Sequence, residues 1–205
     1  MKRNGNLIVI SGPSGVGKST LIKKVRETLD DLQFSISCTT RSPREGEKHG
    51  REYYFMSDDE FNTKLSAGEF LEHATVFKHS YGTLRSEVVS RIERGEEVLL
   101  DIDVQGAKQI RQAAQSDETI RNAAVFILIA PPSLKALEER LTARNSESAE
   151  QLKLRLDGAA GELRNFRVYD YLVINDELES AAADLINILK SIRLRTPNIT
   201  EELFQ

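Results

Sequence analysis

Leu7-Ile8-Val9-Ile10-Ser11-Gly12-Pro13-Ser14-Gly15-Val16-Gly17-Lys18-Ser19-Thr20 changes character twice in a short length of chain. Leu7 to Ile10 is a continuous apolar run, which reads as a buried strand. Ser19-Thr20-Leu21-Ile22-Lys23-Lys24-Val25 reads as the opening of an amphipathic helix. The turn between them, Gly12 to Ser19, fits G-x-x-x-x-G-K-[ST]. Glycines let a backbone curl around a phosphate without a clashing side chain. The loop amides and the helix N-terminus point partial positive charge into that curl. Residues Gly12 to Thr20 are therefore candidates to cradle the phosphates of a nucleoside triphosphate, with Lys18 on the β- and γ-phosphates and the Ser19 hydroxyl on Mg²⁺. A glycine turn that binds nothing leaves Lys18, Ser19 and the flanking strand and helix without a purpose.

Working outward, apolar strand candidates alternate with helical stretches, which favours an α/β fold around a mainly parallel five-stranded sheet. The strand candidates are Leu7–Ser11, Phe34–Ser37, Glu97–Asp101, Ala124–Ala130 and Tyr171–Asn175. Helices are expected from Val104 to about Gln115 and from about Leu178 to Ile192, where Leu185, Ile188, Leu189 and Ile192 share a face. Two stretches break the alternation. Arg41 to about Tyr81 holds short strand candidates at Glu52–Met56 and Phe70–Phe77, with a capping box at Ser57-Asp58-Asp59-Glu60 between them. It reads as a small inserted lobe. Pro131 to about Arg167 is helical and charged, with N-cap signals at Ser133 and at Ser148 with Gln151, and a mobile turn expected at Arg144–Ser148. Such a helix pair is a candidate lid. Gly158 and Gly161 in its second helix each cost about 1 kcal/mol of helix propensity, for close packing or for bending. The division is a core of 1–37, 85–130 and 168–205, a lobe of 38–84 and a lid of 131–167.

A chain of 205 residues with 40% hydrophobic and 29% charged residues is expected to bury one core as a single domain. A net charge of −4 offers no overall positive field for nucleic acid, so basic residues that meet an anion must be clustered locally. The apolar runs are too short to span a bilayer, and the start leads straight into the first strand with no secretory signal. Cys38 is the single cysteine, which suits a reducing cytoplasm. His49, His73 and His79 lack zinc-ligand spacing and read as surface or hydrogen-bonding residues.

Four further constellations carry chemistry. Arg41-Ser42-Pro43-Arg44 with Gly46 and Tyr53 suits a loop that grips a phosphate from two directions with forked guanidinium donors, or equally a solvated basic loop. Glu72 falls on a strand candidate of the same lobe. A carboxylate there accepts from N1–H and the exocyclic amine of guanine, whereas adenine presents an acceptor at N1. The hydroxyls of Ser37 and Thr83 can join those base contacts, and buried polar partners of this kind discriminate by roughly 10⁴ or more. The commoner fate of a Glu is an exposed strand position. Val98-Leu99-Leu100-Asp101 is an apolar strand ending in an acid, where Asp101 can hold the Mg²⁺ shell directly or through water. Asp103 faces an acceptor site, caps the following helix, or does both. Arg140 and Arg144 share a helix face and Arg155 lies on the next helix, which supplies positive charge for a transferring phosphoryl group or forms surface pairs with Glu138, Glu139 and Glu147.

Together these residues resemble guanylate kinases of the bacterial type over nearly the whole chain. The resemblance lies in Gly12–Thr20, in Ser37-Cys38-Thr39-Thr40-Arg41 with Arg44, Gly46-Glu47, Gly50 and Tyr53, and in Glu69-Phe70-Leu71-Glu72 with Tyr81-Gly82-Thr83. It continues through Leu100-Asp101-Ile102-Asp103-Val104-Gln105-Gly106 and Tyr169-Asp170-Tyr171 with Asn175-Asp176. The arginine motif and the Glu72 segment are highly specific; the phosphate loop is shared by many families. The resemblance implies a P-loop NTPase-like core, an inserted GMP-binding lobe and a helical lid. It implies ATP + GMP ⇌ ADP + GDP with Mg²⁺ as cofactor, dGMP as a second acceptor, and a place in purine nucleotide recycling. By the same resemblance Ser37, Glu72, Gly82 and Thr83 would read guanine with Asp103 nearby, and Arg41, Arg44, Tyr53 and Tyr81 would hold the GMP phosphate. Arg140, Arg144 and Arg155 would clamp the transferring group beside Lys18 and Arg41, and Asn175 would lie near the adenine. Glu52, Lys78-His79-Ser80 and Gly161 depart from the usual pattern without removing a functional group. Another phosphate-loop kinase, or a non-catalytic module that binds peptides at the old acceptor site, are the competing readings. The oligomeric state is not legible.

Overall fold

In a computed structural model, which describes residues 3–29, 32–76, 78–143 and 149–199, Leu7–Ser11 forms strand β1 and is buried at every position. Its burial follows from its neighbours. β1 is the middle strand of a five-stranded sheet in the order β2 (Gln33–Phe34), β7 (Val98–Asp101), β1, β8 (Ala124–Ala130), β9 (Tyr171–Ile174). Every pairing in that sheet is parallel. Helices cover both faces, so the side chains of β1 alternate between two apolar layers rather than between core and water. Ile8 and Ile10 join α1 (Lys18–Arg26) and α8 (Leu178–Ile192) through Leu21, Val25, Leu185 and Leu189. Leu7 and Val9 join α3 (Arg85–Glu93), α4 (Val104–Ser116) and α5 (Glu118–Ala123) through Val88, Ile110 and Ile120.

A second sheet of four strands, ordered β4 (Tyr54–Phe55), β3 (Cys38–Thr39), β6 (His79–Leu84), β5 (Phe70–Val76), stands apart from the first. Helix α2 (Asp58–Ser66) closes it. Ser57 caps that helix by accepting from the Glu60 amide at 3.1 Å, and buried Phe61 stacks on Phe70 with ring centroids 4.4 Å apart. α6 (Leu134–Thr142) and α7 (Ala149–Arg164) share a small cluster of their own around Leu137, Leu141 and Ala159. Ser133 caps α6, as expected, by accepting from the Ala136 amide at 3.0 Å. Ser148 and the turn expected at 144–148 lie outside the described residues.

The core strands lie within a residue or two of their sequence candidates, with one difference. The run Phe34–Ser37 is not one strand: β2 ends at Phe34, and the chain crosses to the second sheet, where Cys38–Thr39 pairs with β4 and β6. His79–Leu84 was not legible as a strand because Ser80, Gly82 and Thr83 hide its alternation. A Cβ at Gly158 or Gly161 would meet nothing within 4 Å, so close packing does not explain either glycine, and α7 runs through both. The segment up to Ile199 packs on the core: Asn198 is buried, Asn4 donates to its carbonyl at 2.9 Å, and its amide reaches Asn6 Oδ1 at 2.5 Å. Among the described residues no helix is long and apolar enough to cross a membrane.

Candidate active site

β1 ends at Ser11 and the chain turns through Gly12 into α1. Gly12 is required by close approach: a Cβ there would lie 2.2 Å from the Ile129 carbonyl oxygen of the adjacent strand. Gly17, the residue before the helix, has φ +93°, and a Cβ there would lie 2.6 Å from Asn175 Nδ2. That amide donates to the Val16 carbonyl at 2.8 Å, so Asn175, at the end of β9, fastens the loop from outside. Within the loop Val16 N donates to the Pro13 carbonyl at 3.3 Å, while Ser14, Ser19 and Thr20 are exposed. Lys18 folds back across the loop, with Nζ donating to the Gly12 carbonyl at 3.0 Å and 3.8 Å from Asp101 Oδ1.

Helix α1 has no side-chain cap and no acid in its first turn, whereas α2 has Ser57 at its cap and Asp58, Asp59 and Glu60 behind it. The positive end of α2 is therefore answered by its own carboxylates, and that of α1 is left for an outside anion. Asp101 closes the far side. Burial pushes its carboxyl pKa up, against the opposing charge of Lys18. Glu162 of α7, to which sequence reasoning gave no part, is also held up, first by burial and then by the charge of Asp103, with Lys18 opposing. This brings α7 within electrostatic reach of the loop.

A cleft of about 440 Å³ opens beside the loop between Gly15, Thr20, Arg140 and Asn175. Arg140 spans it, donating to the carbonyls of Asn175 at 2.7 Å and Asp176 at 3.3 Å. Both acceptors are neutral, so the guanidinium keeps its full charge for a stronger partner. Arg155 is exposed on α7, and Arg144 lies outside the described residues.

The second sheet gathers the other candidates. Arg41 donates to Glu47 Oε1 at 2.9 Å and lies over the ring of Tyr53, 5.4 Å from its centroid. Tyr53 and Tyr81 meet edge to face at 6.0 Å. Glu47 also accepts from the Arg44 amide at 2.7 Å through Oε2. These two contacts hold its carboxyl below the usual range, Arg41 contributing most. Glu47 thus ties Arg41 to the backbone at Arg44. Its signal in the sequence was an acid three residues after one arginine and six after the other. Arg44 itself is exposed, and Ser37 is half-buried with its carbonyl accepting from the Tyr54 amide at 2.9 Å.

Glu72 does not follow the common fate of a Glu. It is 6% exposed, and Oε1 accepts from the hydroxyl of fully buried Thr83 at 2.6 Å. Burial pushes its pKa up, the charge of Asp103 adds to that, and Thr83 opposes. A buried carboxylate whose hydrogen bonds come from one residue, through the Thr83 hydroxyl and its backbone, retains unmet acceptor capacity. Gly82 follows from the same crowding, since a Cβ there would lie 2.8 Å from Phe70 Cδ1 and 3.0 Å from the Glu72 carbonyl oxygen. Asp103 caps α4 by accepting from the Gly106 amide at 2.8 Å, so its capping reading holds whatever else it does.

A parallel sheet whose central strand runs through a glycine loop into an uncapped helix, with Lys18 in the loop and Asp101 on the adjacent strand end, defines a P-loop NTPase-like fold. The family model for guanylate kinase matches residues 4–192. The guanylate kinase of Geobacter metallireducens is 43% identical over 202 residues, covering 98% of this chain and 96% of that one. The guanylate kinase of Thermotoga maritima is 44% identical over 191 residues, 93% and 89% of the two chains. The crystal structure of guanylate kinase from Anaplasma phagocytophilum superimposes with a TM-score of 0.71 at 36% identity, covering 96% of this chain and 90% of that one. The chain belongs to the guanylate kinase family.

Proposed function

We propose that the protein transfers the γ-phosphoryl group of ATP to GMP, and to dGMP, giving ADP and GDP or dGDP. The observation that carries this reading is Glu72, a buried carboxylate with acceptor capacity to spare in the same molecule as a phosphate loop. Guanine offers two adjacent donors to such a group, and adenine places an acceptor against it. In this reading Ser37, Glu72 and Thr83 read the base, with Gly82 and Asp103 beside them, and Arg41, Arg44, Tyr53 and Tyr81 hold the acceptor phosphate. Residues 38–84 form the GMP lobe and residues 131–167 the lid. Gly12 to Thr20 hold the ATP phosphates, and the adenine lies in the cleft by Arg140 and Asn175.

The donors at the loop fit Mg²⁺: the Ser19 hydroxyl and the Asp101 carboxylate are hard oxygen ligands. Burial already pushes the Asp101 pKa up, a cost that a nearby dication offsets. When bound with ATP, the ion neutralises phosphate charge. The residues do the rest. A GMP phosphate oxygen, already anionic at neutral pH, attacks the γ-phosphorus in line, so no strong general base and no covalent enzyme intermediate are needed. Lys18, Arg41, Arg140, Arg144 and Arg155 supply positive charge to the equatorial oxygens. Closure of lobe and lid excludes water. Buried Cys38 suits a reducing cytoplasm, where we place the enzyme.

The test is ADP formation from ATP and Mg²⁺ with GMP, dGMP, AMP, CMP and UMP side by side. Fast turnover confined to GMP and dGMP is expected. Turnover with AMP instead would keep a kinase and discard the guanine site. Binding of GMP without turnover by any acceptor would favour a binding module.

A further inference from the structure

We propose that Gly106 and Gln109 of α4 are positioning residues for the guanine-reading carboxylate of Glu72, so that base selectivity in the second sheet is set from the core. The inference rests on the reading of Glu72 given above. β5 is the edge strand of its sheet, so one side of its backbone has no neighbouring strand. At His73 a side chain takes that side. The His73 amide donates to Gln109 Oε1 at 3.0 Å, and Gln109 Nε2 donates to the His73 carbonyl at 2.8 Å. One carboxamide thereby satisfies both backbone groups of the residue next to Glu72, as a paired strand would.

Gly106 is three residues before Gln109 and shares its helix face. A Cβ on Gly106 would lie 2.9 Å from Glu72 Oε2, so the missing side chain is the slot for that oxygen. The slot is itself fixed, because the Gly106 amide is held by Asp103. Thr83 takes the other oxygen, Oε1, from within the sheet. Glu72 therefore meets its own sheet through one oxygen and α4 through the other, and the Gln109 clamp sets the distance between them. The clamp stands where it is most needed. The register of β5 against β6 shifts between Phe70 and Glu72, and at such an irregularity the ladder alone leaves a side chain's aim least determined.

Gln109→Met keeps the side-chain length and removes both hydrogen bonds. Steady-state kinetics should show KM for GMP raised about tenfold, the loss of two neutral hydrogen bonds, with kcat and KM for ATP within about twofold and a narrower preference for GMP over AMP. Gln109→Glu restores only the acceptor for the His73 amide and should recover part of the loss. Gly106→Ala presses on the far end of a side chain rather than on backbone, so the helix tolerates it, and it too should narrow the preference. Unchanged KM and preference in Gln109→Met overturn the inference. So do equal losses with every acceptor accompanied by a lower melting temperature, which is what a merely structural contact gives. Glu72→Gln is measured alongside. If it leaves the GMP preference intact, the guanine reading fails and takes this inference with it. If it collapses the preference while Gln109→Met is silent, the inference about α4 fails alone.

Discussion

Glu47, in the loop between β3 and β4, and Glu72, on β5, show how environment separates two carboxylates. Glu47 is held ionised by Arg41 and the Arg44 amide, and Glu72 is pushed toward neutrality by burial. For Glu47→Ala we expect KM for GMP to rise about tenfold, since a charge-assisted contact that shapes the arginine loop is lost. A fall in KM would instead show that Glu47 competes with the phosphate for Arg41. For Glu72 the folded-state pKa lies above the unfolded one, so the unfolded chain ionises first as pH rises and folding loses stability through that interval. Below the ordinary carboxylate range both states are protonated and the cost vanishes. Glu72→Gln, whose amide oxygen still accepts from Thr83, should therefore melt at a higher temperature than the natural protein at neutral pH, with the gain disappearing in acid. A gain that persists in acid would show that the charge is not its source.

At the scale of elements, the uncapped start of α1 and the cap of α2 were legible in the sequence, because helix starts are local: Gly17-Lys18-Ser19 and Ser57 through Glu60 each determine their own turn. β8 and α8 were legible, since β8 is a continuous apolar run buried at every position and α8 has a strong helical period that buries one face. The second sheet was less so. Cys38–Thr39 and Tyr54–Phe55 are two-residue strands created by their partners, and β6 carries Gly82 because Phe70 crowds it rather than because of any strand preference. The phosphate loop could be read residue by residue, whereas the parts played by Asn175, Gln109 and Glu162 depend on elements distant in sequence. α7 yields a prediction of its own. Gly158 and Gly161 sit in open space within a continuous helix, so Gly158→Ala and Gly161→Ala should each stabilise by about 0.5–1 kcal/mol, read as a higher melting temperature. A loss of stability would mean that the helix needs its soft points even at rest.

Across the whole molecule, the base of the core is closed by the segment that follows α8. Asn198 is buried and bonds Asn6, Asn6 bonds Glu97 at 3.4 Å, and Glu97 accepts from Arg193 at 2.7 Å. Asn198→Ala should cost about 1–3 kcal/mol by stranding buried partners, seen in the melting temperature, with turnover unchanged because the closure lies away from the phosphate loop. The position of β1 has a further consequence, in time rather than in space. It leaves the ribosome well before its partners: its ladder neighbours are Val98–Asp101 and Ala124–Leu128, the carbonyl that shapes Gly12 belongs to Ile129, and the amide that fastens Val16 belongs to Asn175. A nascent chain therefore displays the complete G-x-x-x-x-G-K-S motif long before it has a cradle to offer. Such long-range pairing is slow to form, and N-terminal segments must wait for it. Nucleotide can favour folding only once the chain has been made as far as Asn175, so ligand capture becomes a signal that all the strands of the main sheet have been synthesised.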